Sequence, residues 1–305
     1  MRAILSVLTV ALLCSGCDLT KFAANSTANV FERAAPAGNA HWDYDLVGDA
    51  LPGTIIQYEG VHRVIPDNEI IILSAARAYS AYAFGWIEDE IERTDEFDYR
   101  RVEYLQHRAR YMYLRARNLS FRWIRLNHDG LDENRSAGIE QFRQWLESEF
   151  DDAEDDAPML FWAGYTWASA INVSREDPVM LADLSFARAM VERSVALDDT
   201  YFNASGTVML AVLNSSLSPA MGGDADEGRR LFERALEVTG RRSHTVQYNY
   251  AVSYAVQTQN VELFDSLLEE ILTAPDQGNE TRLVNKIILR RARRLRAKRS
   301  ELFVE

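Results

Sequence analysis

The sequence is poor in cysteine, and its two cysteines, Cys14 and Cys17, both lie near the start of the chain. This placement excludes a disulfide framework and a zinc site built from two cysteine pairs. Proline and glycine are also scarce, with 7 and 15 among 305 residues, which favours long uninterrupted elements over many tight turns. The net charge of −13 argues against a general nucleic-acid-binding protein, because phosphate backbones are bound through clustered cations.

The sequence motifs of common catalytic and cofactor sites are missing as well. The five histidines are scattered, and none belongs to an H-E-x-x-H pair. The sequence has no phosphate-binding P-loop, no G-x-G-x-x-G dinucleotide motif and no G-x-S-x-G nucleophile turn. We therefore expect a protein that is not an enzyme and that needs neither a cofactor nor a metal. The alternative is an envelope hydrolase whose catalytic carboxylates are brought together by folding.

The first 17 residues indicate export and lipidation. Arg2 precedes an apolar stretch far shorter than the roughly 20 residues that span a bilayer, which is typical of a cleaved signal peptide. Ser15 and Gly16 precede Cys17, as small residues precede the lipidated cysteine of bacterial lipoproteins. We therefore predict that residues 1–16 are removed and that the Cys17 thiol carries lipid. An ordinary signal peptide with a chance cysteine is the alternative.

The region after this cysteine has the composition of a linker. Leu13 lies four residues before Cys17, one position further than leucine usually stands in such signals. Residues 17–42 are rich in alanine and small polar residues, and they are predicted to form a flexible tether between the membrane and the folded domain. Asp18 resembles the signal that keeps an enterobacterial lipoprotein in the inner membrane. The predicted location is therefore the bacterial periplasm, with a lipid anchor in that membrane.

Apolar residues recur at helical spacing through the rest of the chain. One run opens after Asn68 and continues to Ile91, and apolar residues occupy three- and four-residue steps within it. Thr94 is predicted to cap the next helix, and Pro52 is predicted to lie in the first turn of the opening helix. Strand patterns of comparable length are missing, so residues 43–305 are predicted to form one all-α domain.

Three segments have the spacing of the second helix of a tetratricopeptide repeat, where small residues flank a larger one. They are Ala187, Val191 and Ser194; Gly228, Phe232 and Ala235; and Asn260, Phe264 and Leu267. Small residues let neighbouring helices touch, while the larger residue fills the gap between helix pairs. The predicted architecture is a divergent tetratricopeptide-like α-solenoid with about four or five helix pairs. Ordinary helical packing is the alternative.

An aromatic helix is the first candidate for binding. Residues 161–172 contain four aromatic side chains within seven positions. One hypothesis places Trp162, Tyr165 and Trp167 on the wall of a pocket for an apolar ligand, with Asn172 as a polar contact. The alternative is that these side chains fill the core, as aromatic residues on helices usually do.

A loop with paired glycines is the second candidate. Gly222 and Gly223 permit positive φ angles, and Asp224 can cap the helix that follows. A structural turn is one interpretation of this segment. The other is a surface loop that contacts a partner protein, with Pro219 and Met221 in the contact, because recognition concentrates on loops held by rigid elements.

The C-terminal segment is strongly basic. Residues 282–305 contain nine cations and two anions, and the apolar residues among them follow one helical face. Packing against the chain's own acidic surface is one interpretation, and it leaves Arg290, Arg293, Arg294 and Arg296 away from that apolar face. Anionic lipid headgroups and a partner protein are the alternatives.

Three stretches together carry a family resemblance. They are residues 50–85, with Ala50-Leu51-Pro52 and Pro66-Asp67-Asn68; residues 161–172; and Pro219 to Asp224 followed by Phe232-Glu233-Arg234-Ala235-Leu236. In their order and spacing they resemble the TRAP transporter T-component family, the periplasmic lipoproteins associated with tripartite ATP-independent transport. Met221 stands where leucine is expected.

The resemblance implies a helical-repeat fold with a hydrophobic passage through the protomer. It also implies a partner, the periplasmic substrate-binding protein of the same transport system, and a small hydrophobic or organic-acid ligand. A homo-oligomer such as a trimer is compatible with it. The competing hypothesis is a lipid-anchored scaffold for the assembly of envelope proteins.

Overall fold

The computed structural model describes residues 18–95 and 97–304, and this part of the chain is helical without a strand. The predicted signal peptide and Cys17 lie outside the described residues. The helices are α1 Leu19–Asn39, α2 Tyr44–Val64, α3 Glu69–Arg93, α4 Tyr99–Asn127, α5 Leu131–Ser136, α6 Ile139–Glu149, α7 Asp156–Asn172, α8 Pro178–Ala182, α9 Leu184–Leu197, α10 Tyr201–Ser216, α11 Ala225–Val238, α12 His244–Tyr250, α13 Val261–Thr273, α14 Arg282–Ala297 and α15 Arg299–Leu302. A π-helical turn lies within α3 at Ala83–Ile87, and another continues α12 over Ala251–Ala255.

The segment predicted as a flexible tether is helical in the structure, which corrects that prediction for residues 19–39. The Asp18 carboxylate accepts hydrogen bonds from the backbone N–H groups of Thr20 at 3.1 Å and Lys21 at 3.3 Å, and so begins α1. Ala28 is fully buried, and Phe31 packs edge-on against Tyr58 of α2 with 4.9 Å between ring centroids. The composition resembles that of a linker because only a few apolar residues of α1, among them Ala24, Ala28 and Phe31, pack against the core.

Two helix starts also differ from the sequence prediction. Asp98, not Thr94, caps α4, since its carboxylate accepts from the backbone N–H of Arg101 at 3.2 Å, while Thr94 ends α3. Pro52 lies inside α2 rather than in its first turn, because α2 already begins at Tyr44. By contrast, Asn68 begins α3 as predicted, with its side chain accepting from the Ile71 N–H at 2.9 Å.

Neighbouring helices pack as successive layers. Helix α3 packs on α4, α4 on α7, α7 on α9, α10 on α11, and α12 on α13. A second set of contacts joins α3 to α7, α7 to α10 and α10 to α12. We call these four the inner helices. Helix α14 packs on α12 and α13 and also reaches α1 and α2. The last long helix therefore meets the first two, and the chain closes on itself.

Glycine permits the closest helix contacts in these layers. A Cβ atom at Gly164 of α7 would lie 2.6 Å from Cγ2 of Val191 and 2.7 Å from the carbonyl oxygen of Ala187, both on α9. A Cβ atom at Gly228 of α11 would likewise overlap the side chain of Ser215 on α10. The predicted repeats depended on the same physical effect, because small residues let neighbouring helices approach each other closely.

Helix α3 is long and apolar enough to cross a membrane by length and composition. In the structure, half of its most apolar window is buried, and it packs against α2, α4 and α7 as a core helix.

Candidate functional site

Three of the inner helices bring aromatic side chains around one arginine. We call this set the Arg77 site, and its residues are Arg77 on α3, Phe161, Trp162 and Tyr165 on α7, and Tyr201 and Phe202 on α10. The Arg77 guanidinium lies over the Trp162 ring, 5.5 Å from its centroid, and donates from Nη2 to the Tyr201 hydroxyl at 2.8 Å. Trp162 donates from Nε1 to the same hydroxyl at 3.0 Å.

The first turn of α10 has an unusual backbone at this site. Phe202, Asn203 and Ala204 have φ angles of 49°, 58° and 57°, which lie in the left-handed region. Such conformations cost on the order of 1 to 3 kcal/mol each for residues other than glycine. They place the Phe202 ring 5.0 Å from the Trp162 ring, with 45% of Phe202 exposed. The strained turn thus holds an aromatic side chain at the edge of the Arg77 site.

A charged cluster lies next to the Arg77 site. We call it the inner ion cluster, and its residues are Glu88, Asp89 and Glu92 on α3, Tyr113 on α4, Tyr248 on α12, and Arg291 and Arg294 on α14. Arg291 is only 4% exposed, and it lies 3.7 Å from a Glu88 oxygen and 3.4 Å from a Glu92 oxygen. It also donates to the Phe84 carbonyl at 2.6 Å, and its guanidinium lies over the Phe84 ring.

Burial changes the pKa values of titratable groups in the Arg77 site and in the inner ion cluster. It raises the pKa of Glu88, although the Arg291 charge and the Tyr113 hydroxyl act in the opposite direction. Burial, with the nearby Glu88 charge, raises the pKa of Tyr165 above its usual range. Burial also raises the pKa of Tyr248 to about 12, with Glu92 contributing. Tyr165 of the Arg77 site is therefore close enough to the inner ion cluster for the Glu88 charge to affect its pKa.

Arginines of α14 pair with the chain's own carboxylates. Arg294 lies 2.6 Å from Asp89 and 2.7 Å from Glu92, and Arg290 lies over the Tyr44 ring of α2. Arg296 pairs with Glu269 at 2.9 Å, and Arg293 is exposed. This arrangement supports the interpretation that the basic segment packs against the chain's own acidic surface.

The structure separates the four residues predicted on the aromatic helix. Trp162 and Tyr165 lie in the Arg77 site. Trp167 is fully buried on the other side of α7, where it packs edge-on against Phe121. Asn172 is exposed at the helix end and accepts from Nε of Arg175 at 2.9 Å. A role in ligand binding stays a prediction for all four residues.

The predicted partner loop forms a separate exposed surface. Pro219 and Met221 belong to one 3-10 turn, and Met221 is 58% exposed. Gly222 has a φ angle of 83°, and its carbonyl accepts from Arg188 at 2.8 Å. A Cβ atom at Gly223 would overlap the Leu217 carbonyl. Asp224 accepts from the Glu227 N–H at 3.1 Å and begins α11. Local structure therefore explains why glycines and Asp224 occupy these positions. Contact with a partner protein stays a prediction.

Sequence reasoning missed Arg77, Tyr201 and Phe202. One available signal was that Arg77 is the only charged residue between Glu69 and Glu88. A charge inside such an apolar run needs a local reason, because burying it is costly unless it is paired. Tyr201 and Phe202 gave no comparable signal, since aromatic residues at a helix start are ordinary. Within residues 18–95 and 97–304, the His, Asp and Glu side chains form no group of three placed to hold a metal ion.

Similarity to known proteins extends over nearly the whole chain. A protein of Treponema pallidum (strain Nichols), described as an uncharacterized protein, is 22% identical over 309 residues. That similarity spans 96% of this chain and 95% of the relative. The model of the TRAP transporter T-component family matches residues 40–303. The match runs from just before α2 to the end of the helical body and includes the Arg77 site. The chain therefore belongs to the TRAP transporter T-component family.

Proposed function

We propose that this protein is a lipid-anchored periplasmic component of a TRAP-type transport system. In this role it binds the periplasmic substrate-binding protein of that system and holds a small ligand between its inner helices. The observation that carries the proposal is the family match over residues 40–303. Because that match covers the helical body rather than one appended module, a role in TRAP transport applies to the molecule as a whole.

The finer architecture and the anchor belong to the same proposal. The body is a divergent tetratricopeptide-like solenoid, residues 1–16 are a signal peptide, and Cys17 carries the lipid. Helix α1 begins at Leu19, two residues after that cysteine, so the lipid would hold the body close to the membrane. In a Cys17→Ser variant we expect the protein to move from the membrane fraction to the soluble periplasmic fraction. Unchanged membrane association, or a mature mass without lipid, would contradict the anchor.

The partner is expected to contact the loop that carries Pro219 and Met221. An exposed apolar side chain on a rigid turn is the kind of residue that contributes to protein interfaces. We expect the substrate-binding protein to co-purify with the wild type from detergent-solubilised membranes and to be lost with Met221→Glu. Val179→Glu serves as the control, because Val179 is 76% exposed but lies on α8. Repeated failure to recover a periplasmic binding protein with the wild type would contradict the proposal.

A scaffold for the assembly of envelope proteins is the second candidate. The burial of Trp162 and Trp167 favours it, because buried tryptophans offer little free surface to a ligand. Native mass spectrometry separates the two candidates and also measures the oligomeric state. A bound small molecule of constant mass favours ligand handling, whereas protein partners alone favour the scaffold.

A further inference from the structure

Helix α1 has two apolar faces, and one of them points away from the body. Ala24, Ala28 and Phe31 belong to the core, where α1 packs on α2 and α3. The opposite face is exposed, and we call it the outer face. Its residues are Leu19, Phe22, Ala23, Ser26, Val30, Arg33, Ala34 and Ala37. They recur at three- and four-residue spacing, so they lie along one side of the helix.

The outer face combines large exposed apolar side chains with very little charge. Leu19, Phe22 and Val30 are 76%, 69% and 63% exposed. The only charged residue on this face is Arg33, although the chain contains 46 Asp and Glu residues. Single exposed apolar residues are ordinary, but a row of them along one helix face indicates a surface that is covered in use.

The place of α1 in the chain indicates what covers the outer face. Leu19 is the second residue after Cys17, which carries the lipid in the proposed function. Two residues span at most about 7 Å of extended chain. The first turn of α1 therefore lies at the surface of the membrane that holds the lipid. Because α1 is helical from Leu19 and packs on the body, its outer face cannot turn independently of the other helices.

From this arrangement we infer that the outer face of α1 lies in the interfacial layer of the membrane, with Leu19, Phe22 and Val30 against acyl chains. Amphipathic helices rest in this layer with their apolar face buried by about 5 to 10 Å. Arg33, on the same face, suits the phosphates of the headgroups. The contact places α2, α3 and α14, which pack on α1, next to the bilayer. The inference rests on the proposed lipid anchor and adds a fixed orientation of the body.

Fluorescent labels on the full lipidated chain test this inference. Cys14 leaves with the signal peptide and the Cys17 thiol carries lipid, so an introduced cysteine is the single free thiol of the mature protein. Phe22→Cys and Val30→Cys are labelled with nitrobenzoxadiazole and reconstituted into vesicles of phosphatidylethanolamine and phosphatidylglycerol. A fraction of the lipid carries a nitroxide on its acyl chain, which quenches fluorophores that reach the acyl layer.

Glu32→Cys is the matched control, since Glu32 is exposed on α1 but lies off the outer face, and Val179→Cys reports an exposed position on α8. We expect the labels at residues 22 and 30 to be quenched severalfold more than those at residues 32 and 179. Equal quenching at all four positions, or none at residues 22 and 30, would overturn the inference. Labels that are shielded as the protein concentration rises, without quenching by the nitroxide, would show that a second copy covers the outer face and would also overturn it.

The mass of the mature chain separates this inference from the proposed anchor. A lipidated chain whose labels are not quenched keeps the anchor and overturns the membrane contact. A mass without lipid contradicts the anchor, and the same labels are then measured in a Cys17→Ser chain with excess vesicles. Quenching at residues 22 and 30 in that chain supports the membrane contact, and its absence overturns it. The outer face alone should bind only reversibly, because even a single acyl chain gives marginal membrane binding.

Discussion

At the scale of single residues, glycines in helices differ in what surrounds them. A Cβ atom at Gly164 would overlap side-chain and backbone atoms of α9, whereas a Cβ atom at Gly60 on α2 meets nothing within 4 Å. We expect Gly164→Ala to lower the free energy of unfolding by about 1 to 3 kcal/mol through overpacking. Gly60→Ala should raise it by about 0.5 to 1 kcal/mol through helix propensity. Urea unfolding of both variants measures these changes, and equal effects would contradict the close contact.

The Glu88 carboxyl links stability to pH. Because burial raises its pKa, the folded chain binds this proton more tightly than the unfolded chain does. The resulting stability is fully present below the unfolded pKa of about 4.3 and is lost as the pH rises through the raised folded pKa. We therefore expect the free energy of unfolding of the wild type, relative to Glu88→Gln, to fall as the pH rises from about 4 toward neutrality.

Urea titrations at several pH values measure this difference. Glu140→Gln is the control, since Glu140 is exposed on α6. A difference between wild type and Glu88→Gln that stays constant with pH would show that the Glu88 proton is not bound more tightly in the folded chain.

At the scale of elements, the ion pairs that hold α14 against the body differ in how deeply they are buried. Arg291 is almost fully buried between Glu88 and Glu92, whereas Arg296 and Glu269 are each 56% exposed. Replacing Arg291 with Met leaves the Glu88 carboxylate without its cationic partner and leaves Glu92 paired with Arg294 alone, which costs about 3 to 5 kcal/mol. Replacing Arg296 with Met should cost about 1 kcal/mol or less, because water already screens that pair. Denaturant midpoints of the two variants give the comparison, and similar losses would be inconsistent with a buried Arg291.

Helix α1 shows how an element can escape sequence-based prediction. Its residues are mostly small and polar, and two of its hydroxyls, on Ser26 and Thr27, bond back to carbonyls one turn earlier. Its inward face includes Ala24, Ala28 and Phe31, and Phe31 contacts the ring of Tyr58. These residues alone do not predict a helix, because the surface that covers them comes from other helices. Helix α3, in contrast, was predicted from its cap and its long apolar period.

At the scale of the whole molecule, α14 closes the body by reaching helices at the other end of the chain. Truncation before residue 282 would expose the surfaces that cover Ile287 and Ile288. It would also leave Glu88 without its cationic partner and Asp89 paired with Arg93 alone. We expect the truncated protein to lose stability and to self-associate, as large exposed apolar patches do. Removal of residues 304 and 305 alone should have little effect. Size-exclusion chromatography and thermal unfolding measure both outcomes, and a stable monomeric truncated form would contradict the closing role.

The sequence by itself determined the helical class and the helix starts at Asn68 and Asp224, because periodicity and side-chain caps act over a few residues. Only the tertiary structure decided which charges are buried and which aromatic residues meet. Arg77 and Tyr201 are 124 positions apart, and Arg291 bonds to a carbonyl 207 positions away. Such pairs depend on how helices from distant parts of the chain pack against each other. The periodicity of apolar residues within one segment carries no information about that packing.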